Sequence, residues 1–145
     1  VELSARVEYA FLALLEIASR YKSKEPLKIS EITLKQPIPD RYLEQILTNL
    51  RRDGIVQSQR GARGGYTLAR EPWQITLLEI VASVEGDRYT ENMSDGSEST
   101  IEKDLVQEVW QQAKTASQAI LRGYTLQDLC QRRDAYRQVN PMYYI

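Results

Sequence analysis

Apolar residues recur at three- and four-residue spacing near the start of the chain: Leu3, Val7, Ala10, Phe11, Leu14, Leu15 and Ala18. That spacing predicts an amphipathic helix with a buried stripe, capped near its start by Ser4. A polar stretch from Tyr21 to Lys28 predicts a loop around Pro26. Ser30, followed by Glu31, Ile32 and Leu34, predicts a short helix with a serine N-cap. Gln36-Pro37-Ile38-Pro39 must end it, because proline disfavours helix for the residue before it. The next helix runs from Asp40 to Asp53, with Leu43, Ile46, Leu47 and Leu50 on one face and Gly54 as its stop. Short helix, tight turn and second helix form a helix-turn-helix pattern.

The pattern then changes period. Ile55 to Gln59 and Tyr66 to Ala69 are short strand-like runs around Arg60-Gly61-Ala62-Arg63-Gly64-Gly65, a turn with three glycines and two arginines. Two such runs around a glycine turn predict a hairpin, and a hairpin directly after a helix-turn-helix is a wing. Pro72 and Trp73 lead into a helix from about Thr76 to Val84, ended by Gly86. Residues 87–100 have no periodicity and read as an exposed, mobile acidic loop. Ile101, Leu105, Val109, Ala113, Ala116 and Ile120 then mark a stripe on a long helix closed by Gly123. Thr125 and Asp128 resemble a capping box that opens a final helix carrying Leu126, Leu129 and Cys130. The expected organisation is a DNA-binding unit over 1–86, the acidic loop over 87–100, and dimerisation and C-terminal helices over 101–145.

At 145 residues the chain can bury a core without disulfides. It has no histidine, which removes imidazole catalysis and histidine metal sites, and its one cysteine, Cys130, allows no internal disulfide. The longest apolar run, Tyr9 to Leu15, is far shorter than a membrane span. No secretory pattern opens the chain, and the expectation is a soluble cytoplasmic protein. No carboxylate pair or nucleophile–base set forms a recognisable catalytic constellation, so an enzyme is not expected.

Net charge is −1, a value that does not advertise a nucleic-acid partner. The sum hides a gradient: residues 1–70 carry a net +4 and residues 71–145 a net −5. Within 41–70 all six cations are arginines, the side chain that makes forked contacts to phosphate and guanine. Around the second helix of the motif, Arg41, Gln45, Thr48 and Arg52 fall opposite the apolar face, flanked by Glu44 and Arg51. These types can pair with base edges and phosphates in a major groove; an ordinary solvated face is the other reading, and the wing beside it favours DNA. Arginines on a hairpin tip suit the minor groove, and Gly61, Gly64 and Gly65 allow a close backbone approach.

Taken together, Ser4 with Tyr9-Ala10, the block Tyr42-Leu43-Glu44-Gln45-Ile46-Leu47, Leu50-Arg51, Gly54-Ile55-Val56 and Arg60-Gly61-x-x-Gly64-Gly65-Tyr66-x-Leu68 resemble the Rrf-two, or IscR-like, winged-helix transcription regulators. The match continues through Trp73 to Ile80, and through Trp110 and Thr125 to Leu129. The resemblance implies a mainly α, winged helix-turn-helix fold, a homodimer held by the helix starting near Ile101, and a pseudo-palindromic operator. It places Glu44 on bases in the major groove and Arg60 in the minor groove. Arg41, Tyr42, Gln45, Thr48, Arg51, Arg52, Gly61, Arg63, Gly64 and Gly65 complete the expected DNA-binding set. Pro39 stands where some members carry a DNA-touching hydroxyl, a contact proline cannot make.

Many members hold an iron–sulfur cluster through three cysteines in the interval before the dimerisation helix; here that interval has none. A cluster needs about four ligands, so no cofactor and no metal are expected. Cys130 reads as a small buried hydrophobe, with a redox-responsive thiol as the other reading. The second functional reading is a cluster-free module whose DNA binding is controlled by a protein partner docking on the acidic distal half.

Overall fold

The computed structural model describes residues 2–86 and 98–140. Most of the acidic interval and the tail beyond Asn140 therefore lie outside the described residues.

Helix α1 spans Ala5–Ala18. Its N-cap Ser4 accepts from the Val7 N–H at 3.2 Å and donates to the Glu85 carboxylate at 2.5 Å. The buried stripe starts at Val7 and continues through Ala10, Ala13, Leu14 and Ile17. Leu3, expected in that stripe, precedes the helix and is exposed. Helix α2 is Ile29–Lys35, with Lys28 rather than Ser30 at its N-cap. The reason is Glu31, whose carboxylate accepts the Lys28 N–H at 3.2 Å and so starts the helix before Ser30. Gln36 is extended ahead of Pro37, which ends α2 as the dipeptide requires. Ile38 is buried in the turn, and α3 follows as Asp40–Arg52. Gly54, just past α3, has φ of +75°, a left-handed position that a side chain would strain.

The wing consists of β1, Val56–Gln59, and β2, Gly65–Leu68, paired antiparallel with Val56 opposite Leu68 and Gln59 opposite Gly65. Leu27 adds a third edge to it. Its N–H donates to the Tyr66 carbonyl and its carbonyl accepts from the Tyr66 N–H, both at 2.9 Å. A short 3-10 turn over Pro72–Gln74 leads into α4, Leu77–Glu85, capped by the Thr76 hydroxyl.

Helix α5 spans Ile101–Arg122 and α6 spans Leu126–Val139, opened by the reciprocal Thr125–Asp128 capping box. The two behave differently. No residue of α5 is buried, whereas Leu126 at the start of α6 is 0% exposed and sits in the same core as α1, α3 and α4. The Leu126 N–H donates to the Ile75 carbonyl at 2.8 Å, and the Leu77 N–H to the Tyr124 carbonyl at 3.0 Å. Arg133 of α6 also donates to the Leu15 carbonyl of α1 at 2.9 Å. The distal chain thus leaves the core along α5 and returns to it through α6. Leu126→Ala should lower the free energy of unfolding by about 2–5 kcal/mol in urea titration; a change near zero would separate α6 from the core.

Candidate nucleic-acid interface

The apolar face of α3 fixes what its other face can do. Leu43, Ile46, Leu47 and Leu50 are all 0% exposed, packed against α1, α4 and the wing strand β1. A helix locked by four such residues cannot rotate, so Arg41, Glu44, Gln45, Thr48, Arg51 and Arg52 stay outward and exposed. Within that face Glu44 and Gln45 have no intramolecular side-chain partner among the described residues. The Thr48 hydroxyl donates back to the Glu44 carbonyl at 2.8 Å. Tyr42 is half-buried instead: its ring lies 6.0 Å from that of Tyr9 on α1, with the Arg41 guanidinium 5.4 Å above it. Tyr42 is therefore a prop that holds the first turn of α3 and seats Arg41 by a cation–π contact.

Arg60 and Arg63 at the wing tip are exposed and form no ion pair among the described residues. From Gly54 to Arg70 there is no acidic residue at all. The three turn glycines divide by role. Gly61 has φ of +106° with open space around it, so it serves the shape of the tip. A Cβ on Gly64 would lie 2.4 Å from the Gln59 carbonyl oxygen, and one on Gly65 2.7 Å from the Leu27 backbone. Those two glycines are needed to close the turn and to dock the Leu27 edge. Their role in folding is visible without any ligand.

Two arginines are held by the protein itself. Arg51 donates from Nη1 to the Ser58 hydroxyl at 3.2 Å, which ties the last turn of α3 to β1. Arg70 pairs with Glu79 at 2.7 Å and also donates to the Gln74 carbonyl, which occupies it away from the tip. Arg52 lies 3.5 Å from the Asp53 carboxylate, an exposed and weak pair. Pattern reasoning missed Glu16, a carboxylate of α1 that is only 6% exposed. It accepts from Gln36 Nε2 at 2.9 Å, with Lys35 at 3.9 Å, and so fixes the turn between α2 and α3 to α1. Its period matched the apolar stripe, but its type concealed the burial.

A helix fixed on three sides, a polar face on which Glu44 and Gln45 have no side-chain partner among the described residues, and a cationic wing lie side by side. A profile of the family described as "Rrf2: Iron-dependent Transcriptional regulator" matches residues 3–132. The chain belongs to the Rrf2 family. It is a DNA-binding helix-turn-helix transcriptional regulator and not an enzyme. The protein slr0846 of Synechocystis sp. is 36% identical to it over 129 residues, covering 89% of this chain and 87% of that one. The solved structure of T. potens IscR matches with a TM-score of 0.75 at 28% identity, over 92% of this chain and 88% of that one. The structure of CymR, the global cysteine regulator of B. subtilis, matches with a TM-score of 0.74 at 29% identity, over 91% and 98%.

Among the described residues of this Rrf2 regulator no donor set gathers that would fit the iron in the family's description. The chain has no histidine and one cysteine, and among the described residues no three metal-ligating side chains gather. Cys130 is half-buried on α6, packed against the core. Burial pushes its thiol pKa up; Arg133 pulls the other way and Asp134 adds to the rise. The thiol is therefore protonated at neutral pH, a poor state for attack on an oxidant. Alkylation of Cys130 by iodoacetamide at pH 7 should be slower than that of free cysteine; a faster reaction would contradict this environment. The Arg51–Ser58 bond makes a second prediction. In DNA-binding titrations, Arg51→Gln and Ser58→Ala should couple by about 0.5 kcal/mol or more in a double-mutant cycle, whereas strict additivity would place Arg51 on DNA alone.

Proposed function

We propose that this Rrf2 regulator acts as a homodimer on a pseudo-palindromic operator, with α3 in the major groove and the wing in the adjacent minor groove. The observation that carries this reading is the exposed Glu44/Gln45 face of α3 beside a wing whose charges are all cationic. Glu44 accepts hydrogen bonds from the exocyclic amine of cytosine, Gln45 and the arginines recognise adenine and guanine edges, and Arg60 and Arg63 follow the negative potential of a narrow minor groove.

Helix α5 supports the dimer. Ile101, Leu105, Val109, Ala113, Ala116 and Ile120 lie within about 120° of its circumference, extended by the exposed Val106. The half-covered residues Lys103, Lys114, Ser117 and Leu121 lie on the opposite side, where α4 packs. The apolar stripe thus faces away from its own chain. Its N-terminal half is bulky and carries a net charge of −2 over 101–111; its C-terminal half is rich in alanine and carries +2 over 112–122. Antiparallel pairing with a second copy sets bulk against small residues and acid against base.

Selection of binding sites from a random duplex pool should return a two-fold motif; an asymmetric motif or none would overturn the reading. Glu44→Ala and Arg60→Ala should each weaken binding to that motif by about 1–3 kcal/mol and relax one position. Val109→Glu should give a monomer in sedimentation and weaken full-operator binding by about 100-fold or more, with half-site affinity kept. A variant that stays dimeric would place the interface elsewhere.

A further inference from the structure

Lys28 lies outside every feature that suggests DNA contact in the sequence, since it ends a loop and precedes α2. The strand pairing moves it into the wing. Leu27 and Tyr66 form an antiparallel bridge closed by two backbone hydrogen bonds of 2.9 Å. In that register Lys28 comes level with Gly65, one step nearer the turn that holds Arg60 and Arg63. Lys28 is itself extended, with φ of −79° and ψ of 155°. Side chains alternate along an extended segment, so Lys28 projects opposite to Leu27, which is 1% exposed. Lys28 is exposed, and the residue beside it on β2 is a glycine with no side chain to cover it.

Its charge is only loosely engaged. The nearest acid in sequence, Glu31, is engaged twice: by the Arg20 guanidinium at 2.8 Å and by the Lys28 backbone N–H. The Lys28 ammonium has no ion pair or hydrogen bond among the described residues, and its charge is the smallest of the causes that lower the Glu31 pKa. The approach is close: a Cβ on Gly65 would lie 2.7 Å from the Leu27 backbone, so the glycine lets the Leu27 edge pack against β2.

We infer that Lys28 is a third cation of the wing and binds a DNA phosphate on the strand that borders the minor groove entered by the tip. The inference rests on the proposed placement of the wing in DNA. A lysine ammonium is a compact charge on a flexible stem, suited to a phosphate and poor at telling bases apart. Its contribution is therefore affinity without sequence preference.

The test titrates wild type, Lys28→Gln, Lys28→Arg, Arg60→Ala and Glu44→Ala with the selected duplex and with an unrelated duplex of equal length. Each titration is repeated at several salt concentrations by fluorescence anisotropy. Lys28→Gln should weaken binding to both duplexes by a similar factor, about 3- to 10-fold at low salt, and reduce the log–log salt slope by about 0.9. Lys28→Arg should restore the slope, and the unfolding midpoint should not move. Unchanged affinity and slope in Lys28→Gln, with Arg60→Ala and Glu44→Ala weakened, would overturn the Lys28 contact alone. A loss confined to the selected duplex would also overturn it, since that marks a base reader. If Arg60→Ala and Glu44→Ala are unchanged as well, the placement of helix and wing on DNA fails with it.

Discussion

The burial of one face of α3 is the constraint from which the rest of the structure follows. Leu43, Ile46, Leu47 and Leu50 give up all contact with water, and removing any one of them leaves a cavity worth a few kcal/mol. Burial of that size fixes the helix about its own axis, and the polar side chains opposite are displayed as a consequence. Pro37 and Pro39 bring α3 out of α2 at a sharp turn, Ile38 pins the turn inside, and the buried Glu16 carboxylate holds Gln36 from below. The reading face needs no ligand to take shape.

The wing is joined to this frame from both sides. Arg51 reaches from α3 to Ser58 on β1, and the Leu27 edge holds β2 through Tyr66. The strands are only four residues each, too short to be stable alone, so these two attachments set the angle of the wing to the helix. Gly64 and Gly65 permit that closure by their lack of a side chain. The glycine-rich turn is thus mainly a folding requirement, and Gly61 alone of its three glycines has open space around it.

Local pattern made α3, the hairpin and the α6 capping box legible, because each depends on residues a few positions apart. The two faces of α3 followed from a period of 3.6, and the hairpin from the switch to strand-like runs around glycine. Ser30 failed as the start of α2 because Glu31 reaches back to the Lys28 N–H and gains the Arg20 pair as well. Contacts between distant segments left no such mark. The Leu27–Tyr66 bridge spans two helices, strand β1 and the wing turn, and the return of α6 onto α1 and the 3-10 turn joins segments far apart in sequence. Glu16 escaped notice because a carboxylate in an apolar stripe ordinarily belongs to its solvated edge. Net charge was the least useful quantity: the value of −1 for the Rrf2 regulator hides +4 over residues 1–70 and −5 over residues 71–145.

The most direct test of the central claim is chemical interference mapping on the selected operator. Guanine-N7 methylation reports the major groove, adenine-N3 methylation the minor groove, and phosphate ethylation the backbone. If α3 and the wing bind as the fold displays them, each half-site shows major-groove interference next to a minor-groove patch, and the two halves are related by a two-fold axis. Interference restricted to one groove, or a single patch without two-fold symmetry, would contradict the account.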